Sequence, residues 1–259
     1  MSVQKSWTEL QAMARACRIV VDALDALEAA AVPGTTTREM DRVAREHIEK
    51  AGARPAFLGY RGYPATLCIS VNEEVVHGIP GPRRLGEGDI VGLDLGCIVD
   101  GFFGDAARTV GVGRTSDEAV RLMKVTREAL FAGIGVCHLG NRVGDIGHAV
   151  QTHAESHGYS VVREFVGHGI GTSLHEEPQV PNYGPPGRRE RLVPGMCLAI
   201  EPMVNIGRPE VDVLSDGWTA VTRDRSLSAH FELSVAVTAF GPWILSEPYP
   251  YPRTEGAHA

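Results

Sequence analysis

The sequence predicts an α/β (α+β) fold built from two like halves, and three observations predict it. An order-preserving internal repeat runs along the chain. Each copy opens with amphipathic helical patterning and passes into strand-like apolar runs. An Asp-Gly pair between two such runs marks a tight hairpin. The repeat shows first between 32–52 (VPGTTTREMDRVAREHIEKAG) and 138–158 (HLGNRVGDIGHAVQTHAESHG), where Gly34, Met40, His47 and Gly52 align with Gly140, Ile146, His153 and Gly158 at an offset of 106. It returns between LGEGDIVGLD (85–94) and LVPGMCLAIE (192–201) at an offset of 107, pairing Leu85 with Leu192, Gly88 with Gly195 and Asp94 with Glu201. Two matches at nearly one offset point to duplication. The expectation is a single domain over 1–259, with halves of about 1–112 and 113–245, pseudo-two-fold symmetry and a site where the halves meet.

In the first half, Leu10, Met13, Cys17, Val20, Leu24 and Leu27 recur at steps of three and four, the spacing of one buried helix face. Thr8 and Gln11 have the spacing of a capping box at its start, and Pro33–Gly34 ends it. Thr36 and Glu39 form a second capping box, followed by Met40, Val43 and His47 and a break at Gly52. In the second half Thr115–Glu118 opens a helix running through Leu122 and Leu130, and 143–156 gives another. Strands are expected at 67–71, 75–78, 90–99, 102–112, 161–166, 196–203 and 231–239, and the Pro-rich tail 246–259 is expected to be flexible.

The bulk properties narrow the function. The composition, 43% hydrophobic and 22% charged, is that of a globular chain. A formal charge of −7 provides no basic footprint for phosphate, which argues against nucleic-acid specificity. Five cysteines at 17, 68, 97, 137 and 197 are odd in number and form no CxxC pair, so neither a disulfide framework nor a thiolate zinc site is expected. Reduced thiols and a polar N-terminus (MSVQKSWTEL) fit a cytoplasmic protein with no membrane segment.

The chemistry is concentrated in DIVGLDLGCIVDGFFGDAARTVGVG, beginning at Asp89. With Asp100 and Gly101 as the central turn residues, Val99 faces Phe102, Gly96 faces Asp105 and Asp94 faces Ala107. Asp94 and Asp105 then share one sheet face as diagonal neighbours, about 7–8 Å apart at the backbone, from which two carboxylates can converge on one ion. Glu201 in MCLAIEPMV and Glu232 in AHFELSVAVT are embedded likewise. One acidic residue beside a strand is ordinarily an edge or turn residue. Four inside apolar runs, two of them matched by the repeat, are costly without a cation. Such a set with an imidazole suits Mn²⁺, Fe²⁺, Co²⁺ or Zn²⁺, and two such ions can share carboxylates and a hydroxide nucleophile. Taken singly, His168 in GHGIG reads as a loop residue, His77 as a strand end, His175 as a cap, and Glu176 with Glu177 as a solvated pair; His47, His148, His153 and His157 read as solvated or packed helix residues.

Together, NEEVVHGIP (72–80), GDIVGLDLGCIVDGFFGD (88–105), GHGIGTSLHEEPQVPNYG (167–184), GMCLAIEPMV (195–204) and DGWTAVTRDRSLSAHFELSVAVT (216–238) resemble successive motifs of the type I methionine aminopeptidases, over about 7–245. The resemblance implies the pita-bread fold, an antiparallel sheet covered by helices, and a hydrolase that removes N-terminal methionine from nascent proteins and peptides, preferring a small second residue. It implies two divalent ions per chain (Co, Mn, Fe or Zn): Asp94 on one, Asp105 and Glu232 bridging both, His168 and Glu201 on the other. Glu201 would also shuttle a proton, His77 would contact substrate near the scissile amide, and His175 would hydrogen-bond the scissile carbonyl. Tyr60, Tyr63, Cys68 and Trp218 would line the methionine pocket. A peptide or nascent-chain N-terminus is the implied partner, with room for a transient ribosome contact, and the protein is expected to be a monomer.

The chain departs from the commonest pattern of that family at Phe57, Gly96, Phe103, Leu174 and Phe231, none of them an implied metal ligand. The lack of a zinc-binding N-terminal extension and of a large insertion between His168 and Glu232 points to the short bacterial-style form. Two rivals stand beside this reading. One is an Xaa-Pro dipeptidase or creatinase-like hydrolase, which usually carries a separate N-terminal domain. The other is a non-catalytic binding protein, which the five retained ligands oppose.

Overall fold

The computed structural model describes residues 4–251. Four helices carry the periodicities read above: α1 (Trp7–Ala30), α2 (Thr37–Lys50), α3 (Asp117–Gly135) and α4 (Val143–Ser156). The face of α1 expected from spacing is the face that is buried, and it lies on the hairpin of Ile90–Val99 and Phe102–Gly111. With α2 it closes a core around Leu67, Ile69, Leu93 and Leu95. Each fully buried aliphatic side chain there contributes about 1.5–3 kcal/mol relative to exposure. A second core, from Leu130, Ile134, Val143 and Ile146 to Leu198, Ile200 and Val235, serves the other half.

Two caps differ from expectation. The capping box of α1 is Ser6 with Glu9, not Thr8 with Gln11, and α3 is capped by Ser116 bonding the amide of Ala119, not by Thr115. In α1 the tertiary structure selects between neighbouring hydroxyl residues: the Lys5 amide donates to Gly195 O at 2.8 Å, which fixes the chain before Ser6. The Thr36–Glu39 box of α2 is present as expected.

Among the described residues the main sheet has nine strands, paired antiparallel throughout. Its path runs Arg54–Pro55, Ile90–Val99, Phe102–Gly111, Glu232–Thr238, Cys197–Ile200, Gly167–Gly169 and Glu176–Val180. Leu67–Val71 and Gly241–Ile244 pair off this path, on Ile90–Val99 and Glu232–Thr238 respectively. The hairpin register is as derived: Val99 opposite Phe102, Gly96 opposite Asp105, Asp94 opposite Ala107.

Several expected strands are broken. The run 196–203 splits at Glu201–Pro202 into Cys197–Ile200 and Met203–Asn205, because proline cannot donate to the ladder. The run 231–239 begins one residue later, at Glu232. The stretch 161–166 is extended only at Ser160–Val161, and 75–78 only as Glu74–Val76.

The duplication is visible in the backbone. Helices α2 and α4 have 14 residues each and start 106 positions apart. Gly34 and Gly140 turn the chain at the same positive φ of 94°, a conformation that glycine adopts without Cβ strain. The isolated bridges Thr36↔Arg84 and Arg142↔Arg191 repeat the offset, as do the amides of Thr36 and Arg142, which each donate to the carboxylate three residues on at 2.7 Å. The tail is docked up to 251: Ser246 is buried, the ring of Tyr249 stands edge-on to Trp7 and Trp243, and the Tyr251 hydroxyl donates to Pro242 O. The rest of the expected flexible tail, 252–259, lies outside the described residues. No helix among the described residues is long and apolar enough to cross a membrane.

Candidate active site

Five side chains converge on one cavity of about 330 Å³ where the halves meet: Asp94 and Asp105 from the hairpin, His168 from Gly167–Gly169, Glu201 just past Cys197–Ile200, and Glu232 at the start of the central strand. The register explains the convergence. Ala107 stands between Asp94 on one neighbouring strand and Glu232 on the other, so the two carboxylates rise from the same face. Donor atoms of Asp105, His168 and Glu232 all lie within 4.8 Å of one another. Nε2 of His168 is 3.9 Å from Asp105 Oδ2 and 3.5 Å from Glu201 Oε1. The Asp105 backbone is held from two sides. Ser234 Oγ donates to its carbonyl at 2.8 Å, and α1 lies so close to Gly104 that a Cβ there would come within 2.5 Å of Cys17 N.

The electrostatics are those of a cation site. Asp105 and Glu232 are only 4% and 2% exposed. One oxygen each of Asp94, Asp105 and Glu232 is buried with no hydrogen-bond partner, a costly state for a carboxylate that a cation relieves. Burial raises the Asp94 carboxyl to about 7. Asp105 is pushed well above the usual range by burial and then by Asp94, Glu232 by burial and then by Asp105, and Glu201 by burial and then by Asp94. Burial lowers His168 to about 4, so its imidazole is neutral and its lone pair available. His168 Nδ1 faces Gly169 O at 2.9 Å, which makes Nδ1 the protonated nitrogen and leaves Nε2 as the donor toward the cavity. Four carboxylates and one imidazole fit divalent ions of the Mn, Fe, Co and Zn group.

The remaining expected residues surround this centre. His175 lies with its ring 4.3 Å from that of His168 and stacks on Tyr60, whose hydroxyl is 2.7 Å from His175 Nδ1. His77, at φ 61°, presents its ring edge-on to Phe165 and Trp218. Burial lowers its pKa to about 4. Tyr63 is fixed by donating to Leu67 O and Gly78 O, and Cys68 sits opposite Asp94 in the ladder. These residues join Phe57 and Leu174 in an apolar wall. Two of the sequence departures prove to be one feature, since a Cβ on Gly96 would lie 2.8 Å from the Phe57 ring: glycine there makes room for the phenyl group.

Sequence reading missed His230 and misjudged Glu176. His230 is buried, with Nε2 3.9 Å from Glu201 Oε2, and Thr109 Oγ1 binds both its amide and its carbonyl at 2.9 Å. Its placement beside Glu232 was the available signal. Glu176 is no solvated partner of Glu177. It pairs with the buried Lys5 ammonium and accepts from the amides of Thr172 and Ser173, tying down the turn that carries His175.

Residues 11–239 match the profile of metallopeptidase family M24. A methionine aminopeptidase from Clostridium acetobutylicum is 52% identical over 247 residues, covering 95% of this chain and 99% of the relative. The crystal structure of a methionine aminopeptidase from Rickettsia prowazekii superposes with a TM-score of 0.94 at 39% identity, covering 95% of this chain and all of that one. A prolidase from Pyrococcus furiosus, at 21% identity and a TM-score of 0.77, shares the fold, with 96% of this chain covering 66% of its own.

Proposed function

The chain belongs to metallopeptidase family M24, among its methionine aminopeptidases, and from that premise we propose that it removes N-terminal methionine at the Asp94–Asp105–His168–Glu201–Glu232 centre with two divalent ions bound. The observation that carries the proposal is the set of buried, unpartnered carboxylate oxygens on Asp94, Asp105 and Glu232 facing a neutral imidazole across one cavity. Divalent ions held there supply Lewis-acid activation of water and of the scissile carbonyl. Asp94 would hold one ion, Asp105 and Glu232 both, His168 and Glu201 the other.

The protein's own groups handle the proton and the geometry. Glu201 takes the proton of the attacking water and returns it to the departing amine. The Tyr60 hydroxyl stands 2.7 Å from His175 Nδ1; in the tautomer that has Nδ1 accept from it, Nε2 of His175 carries the proton and hydrogen-bonds the scissile carbonyl oxygen as charge develops there. His77, braced by Phe165 and Trp218, contacts the peptide beside the scissile amide. Tyr60, Tyr63, Cys68 and Trp218, with Phe57 and Leu174, form a slot whose apolar lining suits a flexible thioether. The exposed residues Arg61, Glu164 and His175 on the lining of the cavity limit what can follow methionine, so a small second residue is preferred. The same reading makes the chain a single catalytic domain acting as a monomer on peptide N-termini.

The test is a steady-state assay. Protein loaded with Mn²⁺ or Co²⁺ should release methionine from Met-Ala-Ser, and turnover should fall as the second residue is enlarged across a Met-Xaa panel. A folded, metal-loaded sample that leaves Met-Ala-Ser intact ends the proposal. One that prefers an Xaa-Pro dipeptide assigns the prolidase activity instead.

A further inference from the structure

We propose that Glu128, His153 and His157 form a second divalent-metal site on the outer face of the α3–α4 pair, apart from the catalytic cavity. One donor atom from each of the three lies within 4.8 Å of the other two. Glu128 comes from α3, His153 from the last turn of α4, and His157 is the residue that ends α4. The two histidines stand four residues apart, which places them on one helix face, with ring centroids 4.6 Å apart.

Three details distinguish this cluster from an ordinary surface ion pair. First, His153 Nε2 and Glu128 Oε2 are 3.4 Å apart. Two ligands on a tetrahedral ion at bond lengths of about 2.0–2.2 Å stand about 3.3–3.5 Å apart, so the gap already has the length of a coordination edge. His153 Nε2 is buried and makes no hydrogen bond. Second, His157 Nδ1 lies 2.8 Å from His153 O. A carbonyl only accepts, so Nδ1 carries the proton and Nε2 keeps its lone pair, the tautomer that a histidine ligand needs. Third, the site lies at the C-terminal end of α4, where the helix dipole favours a cation. Glu128 also pairs with Lys124, but through its other oxygen, Oε1, at 2.7 Å.

The duplication shows that the fold does not require this arrangement. The positions of α2 that correspond to His153 and His157 are His47 and Ala51, so the first half closes its helix pair without a second imidazole. Two nitrogens and one carboxylate oxygen select a borderline transition ion such as Zn²⁺ over Mg²⁺ or Ca²⁺, with solvent completing the shell. An ion bound there would tie the end of α4 to α3.

The experiment is zinc stoichiometry by equilibrium dialysis and elemental analysis on the full chain, together with zinc-dependent melting temperature and methionine release under the same conditions. His157→Ala and Glu128→Gln are each expected to bind one Zn²⁺ fewer than the wild type, to lose part of the zinc-dependent rise in melting temperature, and to keep wild-type turnover. If His157→Ala does not fold, Glu128→Gln, which keeps the shape of the side chain, decides alone. Equal zinc counts in wild type and variants overturn the proposal. So does a zinc loss accompanied by loss of turnover, because the missing ion then came from the catalytic centre.

Discussion

The sharpest perturbation is Asp94→Asn in metal-free protein, read as stability against pH. Burial raises the Asp94 carboxyl from 3.8 to about 7. Its folded pKa therefore lies above its unfolded one, and between those values the folded state holds a proton that the unfolded state has released. Stability contributed by the protonated group is full below pH 3.8 and is lost as pH rises toward 7. Between pH 5 and pH 8 that loss comes to about 2–3 kcal/mol for Asp94 alone. The raw profile mixes it with other titrations: burial also raises Asp105, Glu201 and Glu232, and it lowers His77 and His168 to about 4 and His230 to about 3, whose stability contribution rises over the acid part of the same range. Asparagine keeps the shape and removes the titration, so the difference between the two proteins reports the Asp94 carboxyl together with its repulsion of Asp105, Glu201 and Glu232. In EDTA, the melting temperature of wild type relative to Asp94→Asn should fall by about 5–10 °C from pH 5 to pH 8, at about 2–4 °C per kcal/mol for a chain of this size. Saturating Mn²⁺ at pH 8 should reverse the order, since the ion takes the place of the proton. A calorimetric difference that stays flat with pH in EDTA would refute the reasoning.

Further outcomes follow from the same geometry. Asp105→Ala and Glu232→Ala should each lose tight metal binding together with activity; a variant that keeps both ions and full turnover removes the bridging role. His175→Ala should lower kcat by about 10²–10³ with a smaller change in KM, as for removal of one oxyanion donor, and an unchanged kcat in a Met-Ala-Ser assay would take His175 out of the chemistry. Gly96→Ser should destabilise the protein by about 1–3 kcal/mol through overpacking against Phe57, and Phe57→Cys should recover most of that in a denaturation double-mutant cycle. Additive effects in the cycle would mean that the two positions are not coupled.

What could be read from the sequence was local or repeated. The Asp100–Gly101 turn fixed the register of two ten-residue strands and with it the shared face of Asp94 and Asp105. The three-and-four spacing of α1 and the offset of 106 were legible for the same reason: each needs only the chain's own periodicity. What stayed hidden depends on partners far away in sequence. Ser6 rather than Thr8 caps α1 because Lys5 is anchored at Gly195 and Glu176. Three-residue strands such as Ala220–Thr222 carry no period to detect. His230 acquires meaning only once Glu201 lies beside it, and the Gly96–Phe57 pair only once the Arg54–Pro55 segment has laid Phe57 against the hairpin.

The pocket arises where the duplication is broken. In each half two neighbouring strands that pair antiparallel carry a carboxylate in or just beyond them: Ile90–Val99 with Phe102–Gly111, and Cys197–Ile200, which leads into Glu201, with Glu232–Thr238. The first pair is closed by a two-residue turn at Asp100–Gly101, so it runs in unbroken register and contributes no loop to the cavity wall. In the second pair the same connection is opened into the excursion 201–231, and Pro202 ends the strand just after Glu201. That excursion supplies Trp218 and His230, and its Ala220–Thr222 strand pairs with Glu74–Val76, the segment that delivers His77. Symmetry therefore provides the carboxylates, and the departure from symmetry provides one wall of the cavity, through Trp218. A chain shortened within 203–229 is therefore predicted to keep divalent-metal binding by dialysis and to lose discrimination across a Met-Xaa panel; retained discrimination would take this wall out of substrate selection.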